Sequence, residues 1–135
     1  MKSTAKQVPG CYQSVVDDGR NHGIVIDLPE AKKGEDVGPT ALELAGMALS
    51  GCIATIWAVV AANSGVGYDK LEVELEADKP DDAPTFTTAT AKLHISSDEP
   101  EEKLNRTLDK TMRACPVGRL FEQAGIDIKA EIVRV

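Results

Sequence analysis

A long stretch without charge restricts the fold more than any other feature of the sequence. From Leu44 to Ala62, nineteen consecutive residues carry no charged side chain. A helix of that length is close to what a membrane span requires. The stretch is rich in alanine, contains Gly46 and Gly51, and lies between charged segments with regular patterns. We therefore favour a buried central helix of a soluble protein over a membrane-spanning segment.

The beginning of this helix has the spacing of a capping box. Thr40 is a good N-cap residue, and Glu43 follows it by three positions. We interpret Glu43 as a helix cap in preference to a catalytic acid or base. The helix is expected to run to about Ala62 and to stop at the polar residues 63–65. Because it is apolar on nearly all faces, other protein should surround it.

Alternation of apolar and polar residues predicts strands on both sides of the helix. Two strands precede the helix, at 11–16 and 23–28, and a polar turn containing glycine joins them. Two strands that follow the helix form an antiparallel hairpin, and a last strand lies near the C-terminus. These three strands are predicted over 70–77, 85–96 and 126–135.

Two further helices are predicted between the hairpin and the last strand. The first is expected to be capped by Ser97 or Asp98 and to carry Cys115 at the end of its apolar face. The proline that follows this cysteine opens a short helix over 116–124. The order β-β-α-β-β-α-α-β, with its local hairpins, indicates an α+β fold in a single domain, residues 1–135.

The balance of charge narrows the range of partners. The net charge of −7, without a dense patch of basic residues, argues against binding to nucleic-acid phosphates. Residues 1–7 are polar and have no apolar segment behind them, so a cytoplasmic protein without a signal peptide is expected. His22 and His94 have no cysteines near them at metal-ligand spacing. We expect neither a metal site nor a cofactor, and no membrane partner.

Three cysteines are the candidates for chemistry: Cys11, Cys52 and Cys115. An odd number without a secretory signal argues against a disulfide-stapled fold, and the sequence has no CxxC motif. Cys52 taken alone is more simply explained as a small buried apolar residue. Cys115 changes this interpretation, because it precedes Pro116 at the start of a short helix, where free N–H groups favour thiolate. Cys11 is interpreted as structural or as a thiol without a role.

A pair of thiols is what peroxide reduction requires. One thiolate attacks the O–O bond and becomes a sulfenic acid, and a second thiol condenses with that acid to give a disulfide. The attacking thiolate also needs a positive neighbour. Arg20, in the turn between the first two strands, is a candidate, although a solvated turn arginine is the simpler interpretation. An apolar setting around Cys52 would favour organic hydroperoxides. His22 and His94 are expected to face solvent or an interface.

Two motifs resemble those of the OsmC/Ohr family, the osmotically inducible and organic hydroperoxide resistance proteins. Residues 38–44 (GPTALEL) and 49–52 (LSGC) match a proline entry followed by a small-residue helix and a cysteine. Residues 113–117 (RACPV) match a Cys-Pro that follows a helix. The separation and order of these motifs, and the order of segments along nearly the whole chain, match as well.

The resemblance implies an intertwined homodimer in which antiparallel sheets wrap two long central helices. It implies that Cys52 is the peroxidatic cysteine, that Cys115 is the resolving one, and that Arg20 is the assisting cation of a Gly-Arg turn. The partners would be a hydroperoxide and a dithiol reductant, in an oxidative stress response. One departure is visible: the family's peroxidase branch has a glutamate where this chain has Leu42. Glu43 lies one residue later and is the possible supporting residue of the site. That shift turns a helical side chain by about 100°.

The leading hypothesis is therefore a thiol-dependent peroxidase that reduces organic hydroperoxides through Cys52 and Cys115. The alternative is an OsmC-like protein that binds a small molecule or senses redox state without rapid turnover, with cysteines that are vestigial or regulatory. A purely structural stress protein ranks last, because it would leave two motif cysteines without a purpose.

Overall fold

In the computed structural model all 135 residues are described, and the chain divides into two units, Met1–Ala45 and Gly46–Val135. The single-domain expectation stays a prediction. The first unit contains three short strands that pair in the order β1-β2-β3, antiparallel throughout. These strands are β1 (Thr4–Gln7), β2 (Ser14–Asp17) and β3 (Gly23–Ile26). The second and third strands confirm the predicted pair, although β2 begins three residues later than expected.

Strand β1 was not expected from the sequence. Its four residues are polar or small and all are exposed, so the segment has no alternation of apolar and polar residues to reveal it. It forms because β2 offers a free edge, and Ala5 pairs with Val16 in that register. The segment is therefore a strand because it pairs with β2, and its own sequence pattern does not predict it.

A buried aspartate organises the loop that follows β3. Asp27 is almost fully buried and accepts hydrogen bonds from three backbone N–H groups. Those groups belong to Leu28, Glu35 and Val37, at 2.7, 3.1 and 3.3 Å. Burial alone would raise the pKa of Asp27, but the backbone donors outweigh it and hold that pKa below its usual range. A single 3-10 turn, Glu30–Lys32, lies within this loop.

The long helix α1 spans Ala41–Ser64. The predicted capping box is confirmed: Thr40 N donates to Glu43 Oε2 at 2.7 Å, and Glu43 N donates to Thr40 Oγ1 at 3.2 Å. The helix ends before Gly65, whose φ of +61° is the left-handed conformation expected just after a helix.

The burial of α1 differs from the expectation. Within one chain, only one face of α1 is buried. Its residues follow one another at the spacing of helical turns: Gly46, Leu49, Ile53, Trp57 and Ala61. Met47 and Val59 are about half exposed on the rest of the helix, at 54% and 51%. By length and a mean hydropathy of 2.0 the helix could cross a membrane. One chain therefore covers one side of α1 and leaves an apolar side open.

The second unit contains the other sheet, with strands in the order β4-β5-β6. These strands are β4 (Lys70–Asp78), β5 (Thr88–Ser96) and β6 (Asp127–Arg134). β4 and β5 form the predicted antiparallel hairpin. The central strand β5 turns four residues into the core, as its alternation predicted: Ala89, Ala91, Leu93 and Ile95.

The expectation of antiparallel sheets is wrong for the last strand. β6 pairs with β5 in parallel, with Leu93 opposite Ile132. Two helices separate these strands along the chain: α2 (Glu101–Ala114) and α3 (Pro116–Gln123). A connection of that length returns the chain to the end where β5 began, and a parallel neighbour follows. The α+β class is confirmed, and the second sheet is mixed.

The beginning of α2 also differs from the prediction. Its N-cap is Pro100, which makes no side-chain cap, so neither Ser97 nor Asp98 caps the helix. Ser97 Oγ instead donates to the carbonyl of Gly67 and accepts from Glu99 N. The hydroxyl is therefore used to join the end of β5 to the segment after α1. Helix α3 begins at Pro116 and precedes Gly125, whose φ is +79°, as predicted.

Candidate redox site

Cys52 is held in the middle of α1, between two residues of the buried face. Leu49 and Ile53 are fully buried, while Cys52 itself is half-buried. The buried neighbours on the same turn therefore hold this part of the helix in place, and Cys52 itself stays partly exposed.

Cys115 lies at the junction of two helices. It is the C-cap of α2 and the N-cap of α3, with extended backbone (φ −73°, ψ 107°), and it is fully buried. Pro116 cannot continue α2, because it lacks the N–H that the helix would need, yet it fits the first position of α3. The Cys-Pro sequence therefore fixes the turn between α2 and α3, and with it the position of the Cys115 thiol.

The structure brings the two thiols together. Cys115 Sγ lies 3.0 Å from Cys52 Sγ, across 63 positions of sequence, and donates a hydrogen bond to it. Both residues are free cysteines. The pair is a reduced dithiol in direct contact, which is the arrangement that disulfide formation needs.

The Cys115 sulfur has a second partner. The backbone N–H of Gly118 donates to Cys115 Sγ at 3.3 Å, so the sulfur acts as the N-cap acceptor of α3. Burial and the contact with Cys52 nevertheless dominate, and they raise the pKa of Cys115 to about 11. The expectation that the helix start would favour thiolate is wrong in its net effect, because burial and Cys52 outweigh the N–H groups.

The surroundings of the thiol pair are apolar. A methyl group placed on Gly118 would meet Cys115 Sγ at 3.4 Å and Leu49 Cδ1 at 3.9 Å. Gly118 of α3 therefore lies beside Leu49 of α1 and next to the Cys115 sulfur. Phe121, one turn further along α3, stacks against Phe86 with ring centroids 6.2 Å apart. Leucine and aromatic side chains thus line this part of the second unit.

Arg20 lies in the first unit, in the turn between β2 and β3. Its Nε and Nη2 donate to Asp18 Oδ2 at 3.1 and 2.9 Å, and its side chain is largely exposed. His22 Nδ1 lies 2.8 Å from the same carboxylate oxygen. These contacts, that of His22 first, hold the pKa of Asp18 below its usual range. Whether Arg20 assists Cys52 stays a prediction.

Glu43, the possible supporting residue, is engaged in the capping box of α1. Its hydrogen bonds with Thr40, and the charge of Lys32, hold its pKa below the usual range. The carboxylate is thus charged and already has partners in the first unit.

The remaining candidates have local contacts. Cys11 is half-buried, and its Sγ lies 3.4 Å from the carbonyl oxygen of Val8. His94 lies on the outer face of β5, with Nε2 3.0 Å from Glu74 Oε2, and His22 is exposed beside Asp18. The expectation that both histidines lie on the surface agrees with these positions.

The role of Gly118 was not recognised from the sequence, although a signal for it exists. When a polar side chain caps a helix, its acceptor takes the N–H two or three positions later. With Pro116 as the first helical residue, Cys115 becomes the cap and Gly118 the third position. The Cys-Pro-x-Gly spacing therefore indicates a hydrogen bond from Gly118 N–H to the Cys115 sulfur.

An α+β fold with two three-stranded sheets, and a pair of contacting thiols beside a helix junction, define a small thiol-bearing protein. Residues 33–131 match the family described as OsmC-like protein, and the chain belongs to that family. No curated protein matches the chain. Family and fold indicate a soluble protein, and its compartment stays a prediction.

Solved structures share the fold at low sequence identity. The OsmC-like protein from Mycoplasma pneumoniae matches with a TM-score of 0.87 at 14% identity, over 99% of this chain and 96% of its own. An organic hydroperoxide resistance protein OsmC from Legionella pneumophila matches with a TM-score of 0.74 at 15% identity, over 98% and 96%. The organic hydroperoxide resistance protein OhrB of Bacillus subtilis matches with 0.69 at 19%, over 98% and 96%.

Proposed function

We propose that this protein reduces organic hydroperoxides with the thiols of Cys52 and Cys115, and that a dithiol supplies the electrons. The observation that carries the proposal is the 3.0 Å separation of two free thiols that are far apart in sequence. Names of similarly folded proteins from Legionella pneumophila and Bacillus subtilis include hydroperoxide resistance. That likeness supports the choice of substrate class by analogy only.

The two thiols take different roles because their surroundings differ. Cys52 is half-buried and open to attack a substrate, whereas Cys115 is covered by protein and lies behind Cys52, 3.0 Å from its sulfur. Cys52 is therefore the peroxidatic residue, which attacks the O–O bond and becomes a sulfenic acid. Cys115 is the resolving residue, which converts that acid to a disulfide. A dithiol then reduces the disulfide through a mixed disulfide.

The apolar surroundings of Cys52 support organic hydroperoxides as substrates. The half-exposed Cys52 lies within the uncharged segment 44–62, and Leu49, one turn away, packs beside the Cys115 sulfur. An alkyl group gains free energy when such a surface removes it from water, and hydrogen peroxide has no such group. The ratio of kcat/KM for cumene hydroperoxide over hydrogen peroxide should therefore exceed one by a wide margin.

Steady-state turnover with a dithiol reductant tests the function. Wild-type protein should consume tert-butyl hydroperoxide catalytically, and Cys52→Ser should abolish that consumption. Cys11→Ser is the matched control, since it removes a thiol that is half-buried like Cys52 but contacts only its own loop. Turnover that survives Cys52→Ser would refute the proposal.

A second candidate function is a small-molecule-binding or redox-sensing protein without rapid turnover. Two observations favour it: Glu43 is engaged in the capping box, and Arg20 is paired with Asp18. Under this alternative, hydroperoxide oxidises the thiols slowly and once, and added dithiol does not sustain consumption. The same assay therefore separates the two functions. An Arg20→Ala variant with unchanged kcat/KM would remove arginine from the mechanism.

We also propose that the protein acts as a homodimer in the cytoplasm. The open apolar side of α1, which includes Met47 and Val59, is the surface that a second copy would cover. A Met47→Glu/Val59→Glu variant should sediment as a monomer, whereas Val135→Glu, an equally exposed apolar position outside α1, should not change the mass. A monomeric wild-type protein at micromolar concentration would contradict this assembly.

A further inference from the structure

We propose that the Cys115 thiol is also the acid that protonates the alkoxide released from the hydroperoxide. The same proton transfer prepares Cys115 for its later attack on the sulfenic acid. This inference rests on the proposed function and adds a catalytic step to it.

The geometry supplies the donor. Cys115 Sγ contacts Cys52 Sγ at 3.0 Å and is the donor in that contact. No other side-chain donor in the second unit forms a hydrogen bond with Cys52 Sγ. A hydroperoxide that approaches the Cys52 sulfur therefore arrives beside the Cys115 thiol, whose sulfur lies 3.0 Å from the attacking atom. General acids act when they lie within hydrogen-bond reach of the group that receives the proton.

The burial of Cys115 creates a problem that this step solves. A resolving cysteine must become a thiolate to attack a sulfenic acid. Burial, together with the neighbouring Cys52, raises the pKa of Cys115 to about 11, so few molecules hold it ionised near neutral pH. Alkoxides are far stronger bases than thiolates. Loss of the proton to the departing alkoxide generates the thiolate at the moment when it is needed.

A second contact receives the charge that this transfer creates. Gly118 N–H donates to Cys115 Sγ at 3.3 Å, at the positive end of the α3 dipole. This contact is worth more to a thiolate than to a thiol. It therefore stabilises the state after proton transfer more than the resting state, which is the kind of interaction that accelerates a reaction.

The Cys52 thiolate attacks the terminal oxygen of the hydroperoxide, so an S–O bond forms, the O–O bond breaks, and the alkoxide leaves as alcohol with the Cys115 proton. The Cys115 thiolate then attacks the sulfenic sulfur of Cys52, so an S–S bond forms and the S–O bond breaks. Hydroxide leaves and takes a proton from solvent. One hydroperoxide is reduced and two thiols are oxidised.

The first chemical step tests this role, because a residue that only resolves acts after that step. Sulfenic acid formation at Cys52 is followed in a single turnover as the consumption of the oxidant, in Cys11→Ser protein with and without Cys115→Ala, because this signal does not depend on whether Cys115 then resolves the sulfenic acid. Two oxidants are compared. The leaving group of tert-butyl hydroperoxide is a strong base, whereas that of peracetic acid is acetate, which needs no proton.

With tert-butyl hydroperoxide, Cys115→Ala should slow sulfenic acid formation by about 100-fold, the range found for general acids. With peracetic acid the rate should change far less. Equal slowing of both oxidants, or no slowing of either, would overturn the acid role. The ratio of the two rates is taken within one variant, so partial loss of folded protein does not affect it.

Alkylation by iodoacetamide is the control for the nucleophile itself, because it requires Cys52 but no acid. Removal of the Cys115 hydrogen bond to Cys52 acts on both reactions, but loss of the acid acts only on the peroxide, so alkylation should fall far less than sulfenic acid formation with tert-butyl hydroperoxide. A parallel fall in alkylation would attribute the loss to Cys52 and overturn the inference. Wild-type protein that reacts with neither oxidant would overturn the proposed function as well, whereas normal wild-type reaction with an unaffected Cys115→Ala variant would overturn the acid role alone.

Discussion

The thiol of Cys115 donates a hydrogen bond to the thiol of Cys52, with the two sulfurs 3.0 Å apart. The first sulfur belongs to the turn between α2 and α3, and the second to the middle of α1. Both thiols are free, so the contact is available to be converted into a covalent bond. The geometry of this pair leads to testable consequences for titration, packing and stability.

Cys115 should ionise at a higher pH than an ordinary thiol even when it is the only cysteine in the protein. Burial is the largest cause of its raised pKa, and burial survives the removal of Cys52. In a Cys11→Ser/Cys52→Ser variant, thiolate absorbance at 240 nm should rise with a midpoint above the usual 9 and below about 11. A midpoint at or below the usual value would mean that solvent reaches this sulfur.

The raised pKa of Cys115 should also make the folded protein less stable at alkaline pH. Between the unfolded and the folded pKa of Cys115, the unfolded chain has lost the thiol proton and the folded chain has kept it. Folding stability attributed to this group is therefore present below pH 9 and lost as the pH rises toward about 11. Urea unfolding at pH 8 and pH 10 should show a smaller loss in Cys115→Ser than in wild type.

Two glycine substitutions should have opposite effects on the site. A methyl group on Gly46 would make ordinary contacts, with Leu75 Cδ2 at 3.8 Å, and helix propensity then gives up to about 1 kcal/mol of stability. A methyl group on Gly118 would lie in van der Waals contact with Cys115 Sγ, at 3.4 Å, and would restrict the movement by which this sulfur approaches Cys52. Gly118→Ala should therefore slow peroxide-driven disulfide formation, while Gly46→Ala should leave its rate unchanged. Equal rates in the two variants would show that the sulfur moves freely.

The capping box of α1 should contribute measurably to stability. Thr40→Ala and Glu43→Ala should each lower the free energy of unfolding, Thr40→Ala by about 1 kcal/mol. Because each residue bonds the backbone of the other, the effects should not add in the double variant. Additive losses, measured by urea unfolding, would mean that Glu43 acts elsewhere.

Asp27 should make the protein sensitive to acid. Its folded pKa lies below the usual range, so its contribution is present above about pH 4 and is lost as the pH falls through the lower, folded value. Asp27→Asn should be less stable at pH 7, and its stability should change less between pH 5 and pH 2. If the stability of Asp27→Asn fell between pH 5 and pH 2 as much as that of wild type, the buried carboxylate would not be a cause of the acid sensitivity.

The parts of the fold that the sequence predicted are those with strong periodicity. The alternation of β4 and β5, the capping box at Thr40 and the glycine after α3 each act through neighbours in the chain, so their signals are local. The polar strand β1 and the parallel direction of β6 depend on partners distant in sequence, and no local pattern reveals them. Asp27 was missed for the same reason, since its donors come from a loop that closes around it.

The candidate site followed the same division. The Cys-Pro step and the mid-helix cysteine were visible in the sequence, and their family resemblance suggested that they meet. The net pKa of Cys115 was not predictable, because it depends on how much protein covers the sulfur. The position at a helix start lowers the pKa of Cys115. Burial, which is known only from the structure, raises that pKa by more.

Mapping the disulfide tests the central claim most directly. Protein treated with one equivalent of tert-butyl hydroperoxide is alkylated, digested without reduction and analysed by mass spectrometry. We predict the loss of two free thiols per chain and a single linked species that joins the Cys52 peptide to the Cys115 peptide, with Cys11 still alkylated. Thiols that remain free, or a link that involves Cys11, would contradict it.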